Sequence, residues 1–150
     1  MQHASASPWR VATAATLHCL TGCAIGEILG MVLATALGLG GAASIVLSVV
    51  LAFLFGYGLT LRSLLGAVPL RRALGLAVAS DTVSIGTMEL VDNAFIALVP
   101  GALAAGLADA LFWWSLGASL AIAFVLTVPV NGALIARGRG HAVVHDLHGH

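Results

Sequence analysis

Between Arg10 and Arg62 the chain carries one charged side chain, Glu27. Nothing in the sequence constrains the fold more. A run of that length with one acid cannot be wetted along its course, and it is long enough to cross a hydrocarbon layer twice at roughly 20 residues per helical span. The same segregation of charge holds throughout. The 150 residues are 60% hydrophobic and 8% charged, with a mean hydropathy of +1.07. A soluble domain of this size needs a polar surface that such a composition does not supply. The formal net charge is zero, which argues against a nucleic-acid partner. The expected partner is a lipid bilayer.

The punctuation divides the chain into four spans of one membrane domain, residues 1–150. Residues 1–8 are polar, and Trp9 with Arg10 suits a helix start at headgroup level. Helices are expected over about 9–37, 43–61, 71–99 and 108–136. The breaks are Gly38-Leu39-Gly40-Gly41, the segment from Arg62 to Arg72 with Gly66 and Pro69, and Pro100-Gly101. Pro129 falls inside the fourth helix and removes one backbone donor there. The fold class is therefore all-α, a four-transmembrane-helix bundle. With four spans, the N-terminus, the second connection and the C-terminus share one side. Arg10, Arg62, Arg71, Arg72, Arg137 and Arg139 all fall on it, while the other side carries Asp109. The positive-inside rule then places both termini in the cytoplasm of a bacterial inner-membrane, multi-pass protein.

The stretch His18 to Met31, HCLTGCAIGEILGM, holds the densest chemistry. On a helix Cys19, Cys23, Glu27 and Met31 form one stripe at steps of four. Gly22, Gly26 and Gly30 form a second beside it, the small-xxx-small spacing that lets another backbone approach. That row serves either a neighbouring helix or a second subunit. Four acids fall within the spans, Glu27, Asp81, Glu89 and Asp92, and no arginine lies at their depth. An acid at the bilayer centre costs roughly 2.5–3.5 kcal/mol, and four exposed to lipid would cost on the order of 10 kcal/mol. They must face the bundle interior and there carry a proton, bind a cation, or both. Counting 1.5 Å per residue, Cys19 and Asp81 each lie about 13 Å from their flanking arginines, and Glu27 and Glu89 about 25 Å. The first and third helices thus oppose two tiers. His18, Cys19, Cys23 and Asp81 form one, and Glu27, Met31, Met88, Glu89 and Asp92 the other.

Thiolate, thioether and imidazole favour a metal ion such as Cu(I), or Zn for the Cys/His part. Carboxylates suit harder ions and protons. His141, His145, His148 and His150 in the tail 137–150 offer a further metal site, with His141 and His145 one helical turn apart, and imply a cytoplasmic metal donor or acceptor. Plainer roles exist for most of these residues. Buried cysteine packs as a small hydrophobe, and Met fills core gaps. A His-rich terminus is only compositional evidence, and Asn131 beside Pro129 suits satisfaction of freed backbone. Leu20-Thr21-Gly22-Cys23 also matches a lipoprotein cleavage box that would lipidate Cys23. His18 and Cys19 interrupt the apolar region before it, and the chain stays apolar after it, which argues against cleavage.

At HCLTGCAIGEILGM, SDTVSIGTMELVDNAF and PVNGALIARGRGHAVVHDLHGH the sequence resembles a family of small bacterial membrane proteins catalogued only as a domain of unknown function. The resemblance covers nearly the whole chain. It implies a multi-helix membrane fold and an association with copper handling, and supplies no reaction. The expected function is binding and translocation of a cation, a soft transition metal favoured and proton-coupled. Because four spans make a narrow bundle, a homo-oligomer is expected. Two other readings stand beside it. One is an intramembrane metal-dependent enzyme of the carboxylate–histidine type, which the scarcity of histidines in the spans disfavours. The other is an accessory or scaffold subunit whose acids meet a partner's cations.

Overall fold

The computed structural model describes residues 7–137. The described chain forms four long helices, α1 (Pro8–Leu37), α2 (Gly41–Leu64), α3 (Leu70–Leu98) and α4 (Ala110–Ala136), with a short 3-10 turn at Ala102–Ala104 between the last two. Each of the four is long and apolar enough to span a membrane. No strand occurs among the described residues; one isolated bridge, Leu65 to Val68, closes the turn between α2 and α3.

Local chemistry sets the ends. Pro8 opens α1, where its missing N–H is not needed. Gly38 closes it at φ 66°, and Leu39 N–H reaches the Ala34 carbonyl at 2.9 Å, the αL stop that favours glycine. The second helix runs on to Leu64, past Arg62, because an arginine side chain can lie along the helix and hold its head in the polar zone. The fourth begins at Ala110 rather than 108. Asp109 precedes it in extended backbone, and its Oδ2 accepts the Gly106 N–H at 2.8 Å. The Trp113 indole donates to the Leu107 carbonyl at 2.8 Å, fixing this corner while both Trp113 and Trp114 stay exposed.

The helices alternate in direction. Gly22 and Gly26 meet Gly56 and Ala52 of α2, rising on one helix as they fall on the other. Cys19 and Cys23 meet Asp81 and Met88 of α3 in parallel order. Thr16 meets Asn131 of α4, and Asp92 meets Ser119. The helix ends bearing Arg10, Arg62, Arg71, Arg72 and Arg137 therefore share one end of the bundle, and all five arginines are exposed. α1 packs against all three others, with α2 and α4 flanking the α1–α3 pair.

The glycine row belongs to α2 of the same chain. A methyl group on Gly22 would lie 2.8 Å from the Gly56 Cα, one on Gly30 would lie 2.7 Å from the Ser48 Cα, and one on Gly26 would overlap the backbone of Ala52. What this close packing buries is small or polar. Ala12, Ala15, Ala52, Ala73, Ala77 and Ala123 are inside, together with Thr16, Asp81, Glu89, Asp92, Ser119 and Asn131. Few large apolar side chains join them, Leu64, Ile85 and Met88 among the few, and most are outside, Leu90 at 73% exposure and Leu98 at 82%. Polar inside and apolar outside inverts the soluble pattern and is what a lipid solvent requires.

Candidate functional site

The polar interior is a seam between α1, α3 and α4. On α1 the positions Ala12, Thr16, Cys19, Cys23 and Glu27 turn inward, as their spacing requires. Facing them on α3 are Ser80, Asp81, Ser84, Met88, Glu89 and Asp92. From the arginine end, Cys19 Sγ stands 4.0 Å from Asp81 Oδ1, which also accepts a hydrogen bond from Ser80 at 3.0 Å. One residue before Cys19 on α1, His18 Nε2 pairs with Thr60 Oγ1 of α2 at 3.0 Å. One level up, Cys23 Sγ stands 3.9 Å from Met88 Sδ, and its thiol is also within reach of the Glu89 carboxyl. One level further, the carboxyl groups of Glu27 and Asp92 meet each other across α1 and α3.

This regroups the two expected tiers into three levels. Cys23 sits with Met88 and Glu89 in the middle rather than beside Asp81, because one helical turn on α1 advances it past Cys19 by about 6 Å. Met31 does not share a level with Met88. It is half-buried, packed on the cluster of Ala105, Phe112 and Leu116, and lines the same cavity as Glu27, Glu89 and Asp92. The tail residues His141, His145, His148 and His150 lie outside the described residues. Among the described residues, no three His, Cys, Asp or Glu side chains are grouped closely enough to hold a metal ion.

The outermost level opens into a cavity of about 70 Å³ whose polar lining includes Glu27, Glu89, Asp92, Asn93, Ser48 and Ser115. Gly41, Ala102 and Leu103 also line it, so it lies at the end of the bundle opposite the arginines. Its volume accommodates several waters or a partly hydrated ion. Asn93 Nδ2 donates to the Glu89 carbonyl at 2.8 Å. Glu27 Oε1 and Glu89 Oε1 are buried with no protein partner. A buried, unsatisfied polar atom costs about 1–3 kcal/mol, more when charged, so these oxygens mark where a ligand or water is wanted.

α4 contributes a polar row that the hydropathy of its span conceals. Ser115, Ser119, Thr127 and Asn131, each 2% exposed or less, recur at steps of four with Ala123 between them. Ser119 hydroxyl hydrogen-bonds the Asp92 carboxyl and lies 2.9 Å from the Leu116 carbonyl. Asn131 Nδ2 donates to Thr16 Oγ1 at 2.8 Å, so this residue serves an interhelical bond rather than the backbone freed by Pro129. Counting every fourth residue from Ser115 is the sequence signal that finds this row. Replacing Ser119 with Ala removes the α4 partner of Asp92. We expect a loss of about 1–3 kcal/mol, read as a lower melting temperature in detergent. Gly117→Ala on the same helix, where an added Cβ meets open space, should not lower it.

An all-α bundle of four antiparallel, membrane-length helices with an acid- and sulfur-lined seam is thus the class that the fold and site define. Within it, the chain matches a family described as a domain of unknown function (DUF4396) over residues 8–140, and it belongs to that family. No curated protein and no solved structure matches the chain.

Proposed function

We propose that the protein binds a cation in the Glu27–Glu89–Asp92 pocket and passes it across a bacterial inner membrane, with both termini cytoplasmic and protons moving in exchange. The observation that carries this reading is the convergence of three buried carboxylates on one cavity, with unpartnered oxygens on Glu27 and Glu89. In a lipid-facing bundle such groups are stable only when neutralised by a proton or a cation. Binding a cation there releases the protons the acids otherwise hold, which couples the two species at one site.

The favoured cargo is a soft transition metal, Cu(I) or Zn²⁺. Below the pocket the Cys23 and Met88 sulfurs lie 3.9 Å apart. That is ordinary packing, and it is also close to the roughly 3.8 Å between two sulfurs 2.3 Å from one tetrahedral ion. Glu89, which reaches both the cavity and Cys23, links the carboxylates to this sulfur pair. Cys19 with Asp81 forms the next level toward the arginine end. The enzyme and accessory-subunit readings have no specific contact in their favour.

Elemental mass spectrometry of the purified protein tests the reading, with wild type beside Glu27→Gln and Cys19→Ser/Cys23→Ser. Copper or zinc near one per chain, lost in both variants, is the expected result. Wild-type protein that stays metal-free after loading with either ion overturns the soft-metal assignment. Cation flux in vesicles that is unchanged by Glu27→Gln overturns the pocket's role.

A further inference from the structure

The Thr127–Asn131 end of α4 lies outside the pocket and is built from the same kind of groups. Both residues are fully buried, on the same face as Ser115 and Ser119. Several threonines elsewhere in these helices satisfy themselves locally. Thr16, Thr21, Thr82 and Thr87 each donate to the carbonyl one turn earlier, at 2.6–2.8 Å. Thr127 Oγ1 and Ser115 Oγ make no such bond and have no protein partner, and neither does Asn131 Oδ1. Threonine in a helix adopts the self-satisfying rotamer readily, so a buried Thr127 that does not use it is held toward another acceptor or donor.

Buried polar atoms without protein partners are where ordered water sits, typically with two to four hydrogen bonds each. Here they are strung along one axis. From Ser115 to Asn131 the helix rises about 24 Å at 1.5 Å per residue. Glu27 Oε1 and Glu89 Oε1 stand at the Ser115 end, and the exposed Arg10 and Arg137 flank the Asn131 end. Ala123 interrupts the row where it packs with Cys19, Cys23, Ile85 and Met88 in an apolar cluster, and this is the stretch of the face with no polar side chain from α4.

We propose that this face of α4 holds a file of water from the carboxylate pocket to the arginine-bearing end of the bundle, that the Thr127 hydroxyl relays protons along it, and that Asn131 holds a water of the file through its free Oδ1. Each water or hydroxyl accepts one proton and passes on another, so no bond beyond O–H is made or broken. The inference rests on the proposed reading in taking Glu27, Glu89 and Asp92 as proton carriers. It adds residues outside the pocket and a direction of exit that the pocket alone does not give.

Proton uptake into vesicles after a pH jump, followed with a trapped pH-sensitive dye, separates the two claims. Thr127→Val keeps shape and removes the hydroxyl. It is expected to slow proton flux at least roughly tenfold, about 1.4 kcal/mol at the barrier, with copper or zinc content unchanged. Asn131→Leu should do the same. Wild-type flux in both variants, with Glu27→Gln inactive, overturns the water file and leaves the pocket standing. Flux in all forms equal to that of empty vesicles overturns both. Solid-state NMR transfer from water to the Thr127 methyl group in the wild-type protein gives a readout independent of flux and of mutant folding. Prompt transfer is expected, and a dry Thr127 overturns the proposal.

Discussion

Gly26→Leu is expected to cost this protein its fold. A Cβ at position 26 meets the Ala52 nitrogen and Cα, which are backbone atoms inside a helix and cannot rotate away as a side-chain tip can. The two helices would have to separate, and separation there also opens the Gly22–Gly56 and Gly30–Ser48 approaches on either side. Overpacking a core costs about 1–3 kcal/mol when neighbours can adjust, so about 3 kcal/mol is a lower bound here. In a chain of this size that corresponds to a drop in melting temperature of roughly 10 °C. Gly117→Leu is the control, since nothing lies within 4 Å of a Cβ at that position. Equal melting temperatures for the two variants would show that α1 and α2 do not pack through this row.

The helices are legible because the arginines are segregated so strictly that the long apolar runs between them must be spans, divided where Gly and Pro break them. The site is half legible for a related reason. An acid in an apolar run is costly enough that Glu27, Asp81, Glu89 and Asp92 declare themselves, and all four are buried. The small polar residues of α4 do not, because Ser115, Ser119, Thr127 and Asn131 are each inexpensive and are diluted by the apolar residues between them. Only their shared face, fixed by the four-residue repeat, gives them away. The glycine row on α1 is legible as a packing surface, but its partner is not. Steps of four serve an intramolecular and an intermolecular neighbour equally, and it takes Gly56, Ala52 and Ser48 at matching heights on α2 to decide between them. Depth along the axis is the coarsest reading. Counting from the arginines leaves Cys23 at about 20 Å, between the two tiers, and grouping it with Asp81 fails because its sulfur meets that of Met88.

A lysine introduced at position 27 should be tolerated where the same residue on the outer face is not. Leu90 is 73% exposed on α3 and faces the solvent that the apolar surface of the bundle selects. A lysine there puts an ammonium into hydrocarbon at roughly 2.5–3.5 kcal/mol on insertion scales, partly relieved by reaching for the interface. In Glu27→Lys the ammonium instead enters a cavity of about 70 Å³ lined by Glu89 and Asp92, and removes one acid in doing so. It becomes a tethered counter-ion in the proposed cation site. Folding should survive with a melting temperature within a few degrees of wild type, whereas Leu90→Lys should lose at least roughly 5 °C by the same cost. Cation binding should vanish in Glu27→Lys, because the tethered ammonium cannot be displaced by mass action from solution. The comparison isolates what the pocket is for. If Glu27→Lys unfolds as readily as Leu90→Lys, the three acids are not arranged to receive a positive charge. If it folds and still takes up metal, the cation is held elsewhere, with the Cys23–Met88 pair the next place to look.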